Sequence, residues 1–400
     1  MHYIFLVLGA GPAGLSFANA LKLSGEESFV VIEKEAKVGG LCRSEDVDGS
    51  PLDIGGGHFL DVRRPEVNDF LFQFLPEDEW NVFNRDSRIE INGAMIHHPF
   101  EANIWELPQD MQVTYLKSIA VAGCNLNKKI PEDFVEWISW KLGDKIAADY
   151  MIPYNSKMFG ENLNQLGTYW LEKLPNVSFD ETLLSCLNKK PYGTQPGHAQ
   201  FYYPKKYGYG ELWRRMGTAL ENHLITNSVV QCIDFETKTV ILNTGETYSA
   251  DYIITTIPWT SIPELVHMPE EIQNSIQKLK HTAVYISYVS ETLDTQAHWI
   301  YYPDMQKDYH RILVRSNFCT DSKGYWTETN STRFKDTANI SFKNEYAYPL
   351  NTKTKPEIMK KLLGWAESKN VIGLGRWGEW QHYNSDVTVQ KAIELASKFI

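Results

Sequence analysis

Residues 4–14, Ile-Phe-Leu-Val-Leu-Gly-Ala-Gly-Pro-Ala-Gly, decide the fold. Ile4–Leu8 is a short apolar run of the kind that forms a buried parallel strand. Gly9 permits the tight turn off that strand. Gly11 lets the backbone approach a pyrophosphate, and Gly14 lets a following helix lie close on the sheet. Pro12 and Ala13 open that helix, whose apolar positions are Leu15, Ala18, Leu21 and Leu23. A second strand, Phe29–Ile32, ends at Glu33, where a carboxylate can accept both hydroxyls of a ribose. The unpaired N–H groups at the helix start favour phosphate. Strand, glycine turn, helix, strand and acid occur in the order of a dinucleotide-binding unit. An ordinary glycine-rich turn would not explain the position of Glu33.

The rest of the first sixty residues extends the pattern. Lys34 leads into Val38-Gly39-Gly40-Leu41-Cys42-Arg43-Ser44, and then comes Asp53-Ile54-Gly55-Gly56-Gly57-His58. These motifs resemble the large FAD family that includes flavin amine oxidases, protoporphyrinogen oxidase and UDP-galactopyranose mutase. The resemblance implies FAD. It places Gly40, Leu41 and Cys42 along the cofactor's diphosphate and ribityl chain, and Gly56, Gly57 and His58 at the flavin ring. Lys34 and Val230 are implied as further cofactor contacts. His58 can answer to the flavin or simply shape its loop; the glycines before it mark close backbone approach and favour the flavin.

A formal net charge of −11 over 400 residues argues against nucleic acid as a partner. It leaves room for a phosphorylated substrate held by a few local cations. No apolar run approaches the roughly 20 residues of a membrane span. The N-terminal run has no basic leader, so it does not read as a signal peptide. Five cysteines (Cys42, Cys124, Cys186, Cys232, Cys319) are dispersed without a Cys-x-x-Cys pair. They read as free thiols in a reducing, cytoplasmic compartment. Cys42 reads as a small packed residue rather than a redox group. No metal site is expected, because the adjacent His97 and His98 point to opposite faces of a strand.

Helix is expected at Pro65–Leu75, and a hairpin over Arg88–Ile96 turns at Asn92-Gly93. Helical periods run from about Trp105 to Leu187, including Met111–Ala122 and Phe134–Trp140. A strand meander covers Val229–Ile257. Strands follow at Thr282–Val289, Trp299–Tyr302, Arg311–Asn317, Ile340–Tyr346 and Val371–Leu374, and a closing helix at Asp386–Phe399. The fold class is α/β: an FAD-binding Rossmann-type domain with an inserted antiparallel sheet and a helical insertion. The FAD domain is expected over 1–85, 205–265 and 365–400. The antiparallel sheet takes 86–104 and 266–364, and the helical insertion 105–204.

Later motifs resemble UDP-galactopyranose mutases more closely. They are His98-Pro99-Phe100-Glu101-Ala102-Asn103-Ile104, Pro153-Tyr154-Asn155-Ser156-Lys157-Met158-Phe159, Arg311–Phe318, Glu345–Pro349 and Gly375-Arg376-Trp377-Gly378-Glu379-Trp380. The resemblance implies that Phe100, Asn155, Arg311, Tyr348 and His382 bind a UDP-sugar. It implies that Gly375 and Arg376 contact FAD, and that the helix at Asp386 and Val387 caps the flavin. In that family the reduced flavin attacks the anomeric carbon of UDP-galactopyranose and displaces UDP with no net redox change. Such a covalent route divides one difficult step in two. Arginines suit the diphosphate because a guanidinium matches two phosphate oxygens and stays charged.

The chain departs from that pattern. Leu174 stands where a second arginine is expected, with Lys173 one residue away as the substitute catalytic cation beside His58 and Arg311. Phe318 and His382 replace tyrosines, and Glu101 replaces a glutamine. Each missing charged hydrogen bond is worth about 1.5–3 kcal/mol. Arg315, two residues after Arg311, is expected on the same strand face and could assist it. Two functions follow: a UDP-galactopyranose mutase-like isomerase of surface polysaccharide synthesis, or an amine oxidase or protoporphyrinogen oxidase-like oxidoreductase. A flavin-binding protein without catalysis is a third reading. An oligomer is compatible with all three.

Overall fold

The computed structural model describes residues 1–125, 128–160, 162–171, 178–192, 199–319, 321–336 and 340–400. Two compact units emerge. One comprises Met1–Val82, Tyr202–His281 and Thr354–Ile400; the other comprises Phe83–Phe201 and Thr282–Lys353. Of the helical segment expected over 105–204 and the antiparallel sheet expected over 86–104 and 266–364, residues 86–201 and 282–353 fall together in the second unit, whereas 202–204, 266–281 and 354–364 fall in the first.

The first unit is built on an eight-stranded sheet. His2–Leu8 lies between Phe29–Ile32 and Thr247–Thr255, parallel to both. Leu6 pairs with Val30 on one side and Ile253 on the other, and all three are buried. Burial on both faces explains the unbroken apolar runs. Leu224–Ile225 and Val371–Gly373 extend the parallel part, and Val230–Asp234 and Thr239–Leu242 form the antiparallel meander. The helix Pro12–Leu23 packs beside the last helix, Ser385–Ala396. Phe5, Phe17 and Phe399 interlock there edge to face, with ring centres 5.0–6.5 Å apart.

The second unit holds a seven-stranded sheet. Its strands in spatial order are Ser341–Pro349, His281–Val289, Tyr325–Asn330, Arg311–Leu313, Trp299–Tyr301, Ser87–Ile91 and Ala94–His97. Ile89, Tyr301, Arg311, Glu328 and Ile286 lie opposite one another across five adjacent strands. Directly paired residues share a face, so this register places Tyr301, Arg311 and Glu328 side by side. The helix Ile152–Phe159 is tied to this sheet by buried Lys157, whose Nζ donates to the carbonyls of Tyr302 (2.8 Å) and Asp304 (2.7 Å). Asn330 Nδ2 donates to Met158 O.

Several expectations are corrected here. The strand expected over Arg311–Asn317 stops at Leu313. Arg315 is fully buried and donates Nε and Nη2 to Lys323 O, which holds 315–317 as a 3₁₀ turn. Arg315 therefore does not assist Arg311 on a common face. The Tyr325–Asn330 strand and the helix Lys355–Glu367 were not anticipated. The first of these is central to the sheet and supplies Glu328.

Candidate functional site

The glycines of the first unit separate into two kinds. A Cβ on Gly9, whose φ is +99°, would meet Thr256 Oγ1 at 2.5 Å, and a Cβ on Gly14 would lie 1.9 Å from Gly9 O. These two are required by the protein's own packing. Gly11 differs: the nearest atom to a Cβ there is Gly40 Cα at 3.9 Å. Protein packing gives no reason for glycine at 11, whereas a pyrophosphate crossing that space does. Gly40, with φ +53°, faces it from the Gly40–Cys42 turn. Pro12 and Ala13 begin the helix, and a Cβ on Gly375 would touch Ala13 Cβ at 2.6 Å. The closing motif thus lies against the cradle. These features fit the dinucleotide part of a flavin cofactor.

Glu33 is buried, with Oε2 accepting from Ala10 N at 2.7 Å and Oε1 from Glu35 N at 2.9 Å. Each carboxylate oxygen has a second lone pair, so Glu33 can brace the turn and still accept ribose hydroxyls. Lys34 is placed beyond the strand end, near Glu35. Val230 is buried at the start of its strand. Leu41 presents its carbonyl to Gly55, where a Cβ would lie 1.8 Å away. Cys42 is buried; burial pushes its thiol far up, against the opposing pull of Arg376, so it stays neutral and packs. Gly56 has φ +100°, and beyond Gly57 the His58 ring lies 6.4 Å from Tyr209 at 23°. Arg376 donates Nε and Nη2 to Tyr383 O at 3.1 and 2.8 Å, so its guanidinium fixes the segment that carries His382. Asp386, in the first turn of the last helix, accepts from Arg64 Nε at 2.6 Å, and Val387 follows it. Tyr209 OH meets Ser385 Oγ at 2.7 Å.

Beneath this loop Asp53 is fully buried. Ser44 Oγ (2.5 Å), Tyr203 OH (3.0 Å) and Tyr209 N (3.1 Å) donate to it. Burial nevertheless pushes its carboxyl up to about 7. The folded protein then holds a proton that the unfolded chain releases from about pH 4 upward, so stability falls as pH rises toward 7. The slope from this one group is at most about 1.4 kcal/mol per pH unit. Urea midpoints measured from pH 4.5 to 7.5 should show this component in the native chain and lose it in Asp53→Asn. Parallel curves for the two proteins would contradict it.

In the second unit, Arg311 donates Nε and Nη2 to Glu328 Oε2 at 3.0 and 2.5 Å, with Glu328 1% and Arg311 19% exposed. Tyr301 stands opposite Arg311, and Arg85 Nη2 donates to Tyr301 OH at 3.3 Å. Arg85 also lies 3.4 Å from His98 Nδ1 and 4.8 Å above the Trp299 ring. The Tyr154 ring is 5.4 Å from Tyr301 and 6.0 Å from His310. Burial lowers the Arg85 guanidinium, and the charge of Arg311 lowers it further. Tyr348, on Ser341–Pro349, acts on Arg311 electrostatically. Two guanidinium groups and one ionised carboxylate thus meet among phenols. Burial pushes Glu101 up to about 7 and His98 well down, so neither adds a full charge at neutral pH.

Other candidates have structural surroundings. Phe100 is fully buried, stacked on Tyr150 at 5.4 Å and edge-on to Tyr115 at 5.0 Å. Asn155 is buried, with Nδ2 on Met151 O. Phe318 packs edge-on to Trp326 in the core, which accounts for a ring without a hydroxyl. His97 pairs with Glu106 and His98 with Arg85, so the two histidines do not converge. Lys173 and Leu174 lie outside the described residues. Among the described residues no group of three or more His, Cys, Asp or Glu could hold a metal ion, and no helix is long and apolar enough to cross a membrane. All five cysteines are free. The sequence reading missed Arg85, Tyr301, His310 and Glu328.

The parallel strand–turn–helix cradle, with an acid closing its second strand, has the arrangement of a dinucleotide-binding unit. The chain belongs to the flavin containing amine oxidoreductase family, whose profile matches residues 12–338. A flavin is the cofactor this membership implies. The fold is similar to that of a reduced UDP-galactopyranose mutase, with TM-score 0.88 and 22% identity over 100% of this chain and 94% of the other. It is also similar to a putative protoporphyrinogen oxidase from Exiguobacterium sp. 255-15 (TM-score 0.70, 14% identity, 99% and 98% covered). A putrescine oxidase bound to putrescine gives TM-score 0.66 at 14% identity, with 100% and 99% covered. A 50-residue stretch, 12% of the chain, is 52% identical to an uncharacterized protein in the nifH2 3′ region of Methanothermococcus thermolithotrophicus. The matched stretch spans just under half (47%) of that relative's length.

Proposed function

We propose that the protein is an FAD-dependent isomerase of the UDP-galactopyranose mutase type, acting on a UDP-sugar in the cytoplasm, in surface polysaccharide synthesis. The observation that supports this most is the cluster of Arg311 and Arg85 among Tyr154, Tyr301 and Tyr348, with Glu101 only partly ionised at neutral pH. Its excess positive charge suits a diphosphate, and its planar guanidinium groups suit paired phosphate oxygens. Amines, as cations, are poorly served by it. The reduced flavin supplies the nucleophile. Arg311 and Arg85 orient the diphosphate and stabilise it as charge develops on departure. The phenols exclude water and donate hydrogen bonds. Gly11, Gly40 and Glu33 hold the pyrophosphate and ribose of FAD, and His58 and the helix from Asp386 serve its ring.

Family membership favours a second reading, an oxidoreductase that takes hydride from a C–N or C–C bond and passes electrons to oxygen. The two separate in one experiment. Dithionite-reduced holoprotein is incubated anaerobically with UDP-galactopyranose, and the products are resolved by chromatography. Furanose formed with the reduced but not the oxidised protein is the expected result. A yellow, reducible protein that makes none, yet consumes oxygen with an amine, would establish the oxidase instead.

A further inference from the structure

His310 is fully buried; Nδ1 has no hydrogen-bond partner, and Nε2 has only a long approach to Glu328. A leucine would fill such a space without the cost of stripping water from two nitrogens, so a histidine here requires a reason. It lies in the bend just before Arg311–Leu313, outside the strand's alternation. Its ring can therefore reach the face that carries Arg311. Nε2 stands 3.5 Å from Glu328 Oε2, the same oxygen that Arg311 holds. The charged and titratable groups facing it are Glu328 from one neighbouring strand, Arg311 beside it, and Lys157 and Tyr154 from the helix Ile152–Phe159.

The charge balance in this arrangement changes when an anion arrives. Without ligand, Arg311 and Glu328 neutralise each other. A diphosphate drawn to Arg311 sets two anions on one guanidinium. A proton on His310 supplies the missing positive charge on the far side of Glu328.

We propose that His310 is a positioning residue that takes up a proton as an anion engages Arg311, so that Glu328 passes from the guanidinium to the imidazolium. The inference rests on the reading of Arg311 as an anion ligand. By linkage, the anion binds more tightly as pH falls, and binding raises the proton affinity of the histidine by the same factor. Glu101 titrates in the same range, so its contribution must be removed separately.

The test is calorimetry on the holoprotein in the Glu101→Gln background. UDP-galactose and sulfate serve as ligands, since neither changes ionisation between pH 5.5 and 8. Comparing buffers of different ionisation enthalpy counts protons taken up. The expected result is an uptake approaching one proton near neutral pH, with affinity rising roughly three- to ten-fold per pH unit as pH falls. In His310→Asn, and independently in His310→Gln, the uptake should vanish and the affinity should become flat with pH. Uptake that persists in both variants overturns the role of His310 alone. Sulfate binding with His310-dependent uptake, but no UDP-galactose binding, keeps this inference and removes the nucleotide sugar. Absence of Arg311-dependent binding of either ligand overturns both.

Discussion

Gly11→Ala is expected to yield a protein that folds normally and purifies without flavin. The backbone at Gly11, φ −79° and ψ −175°, is open to any residue, and an added Cβ would find nothing nearer than Gly40 Cα at 3.9 Å. The apoprotein should be unchanged or gain about 0.4–1 kcal/mol from the stiffer unfolded chain. The methyl group would instead occupy the space through which a pyrophosphate passes. Gly14→Ala tests the contrasting case. Its Cβ would sit 1.9 Å from Gly9 O, and a backbone atom cannot swing aside. Helix and turn must separate, at a cost of about 3 kcal/mol. That corresponds to a fall of roughly 6–12 °C in Tm, with or without flavin. Gly123→Ala, on a helix end with no atom within 4 Å of its Cβ, controls for the substitution itself. Visible flavin absorbance relative to protein, and thermal denaturation of apo and holo forms, separate the three. Full flavin content in Gly11→Ala would show that the cofactor does not cross at this turn. A normal Tm in Gly14→Ala would deny the close contact of helix and turn.

Legibility from sequence followed locality. The cradle was readable because each demand on it falls on a residue within about thirty positions: the turn at Gly9, the close approach at Gly14, the acid at Glu33. The hairpin at Asn92-Gly93 was readable for the same reason, and it forms between Ser87–Ile91 and Ala94–His97. The second unit was harder, because its chemistry is assembled by register. Arg311 acquires its neighbours from strands that begin 12 residues before it and 14 after it, through pairings with Tyr301 and Glu328. No local spacing announces that an acid at 328 will meet an arginine at 311. Arg315 misled for a related reason. Period-two alternation puts it on the face of Arg311, but its bonds to Lys323 O end the strand first. Glu101 shows a third limit. A carboxylate counted as fully negative from sequence is pushed up to about 7 by burial and is only partly ionised at neutral pH, and that depends on the fold around it.

Arg311→Ala is expected to have the largest effect in the second unit, on stability and on anion binding together. It leaves the Glu328 carboxylate, 1% exposed, without its guanidinium. Breaking a buried pair from one side costs about 3–5 kcal/mol, because the remaining charge stays desolvated. Glu328→Gln should cost less: Arg311 is 19% exposed and can turn toward solvent, and the amide oxygen still accepts one N–H. The double variant Arg311→Ala/Glu328→Ala should be less destabilised than the sum of its single variants, as residues that share a contact require. Ligand affinity should move differently. Binding of UDP should be lost in Arg311→Ala. It should rise roughly ten-fold in Glu328→Gln, equal to about 1.4 kcal/mol, because the competing negative charge is gone and one of the two N–H groups is freed for phosphate. A variant that loses stability yet gains affinity marks an arginine held in reserve for a ligand. If Glu328→Gln instead weakens UDP binding in step with stability, the pair is a structural clasp and the diphosphate must be sought elsewhere. The damage from Arg311→Ala should also shrink toward pH 5.5, where a proton on His310, 3.5 Å from Glu328, can replace the missing charge. Urea denaturation of that variant at pH 5.5 and 8 reads this directly, and equal losses at both would leave His310 outside the charge balance.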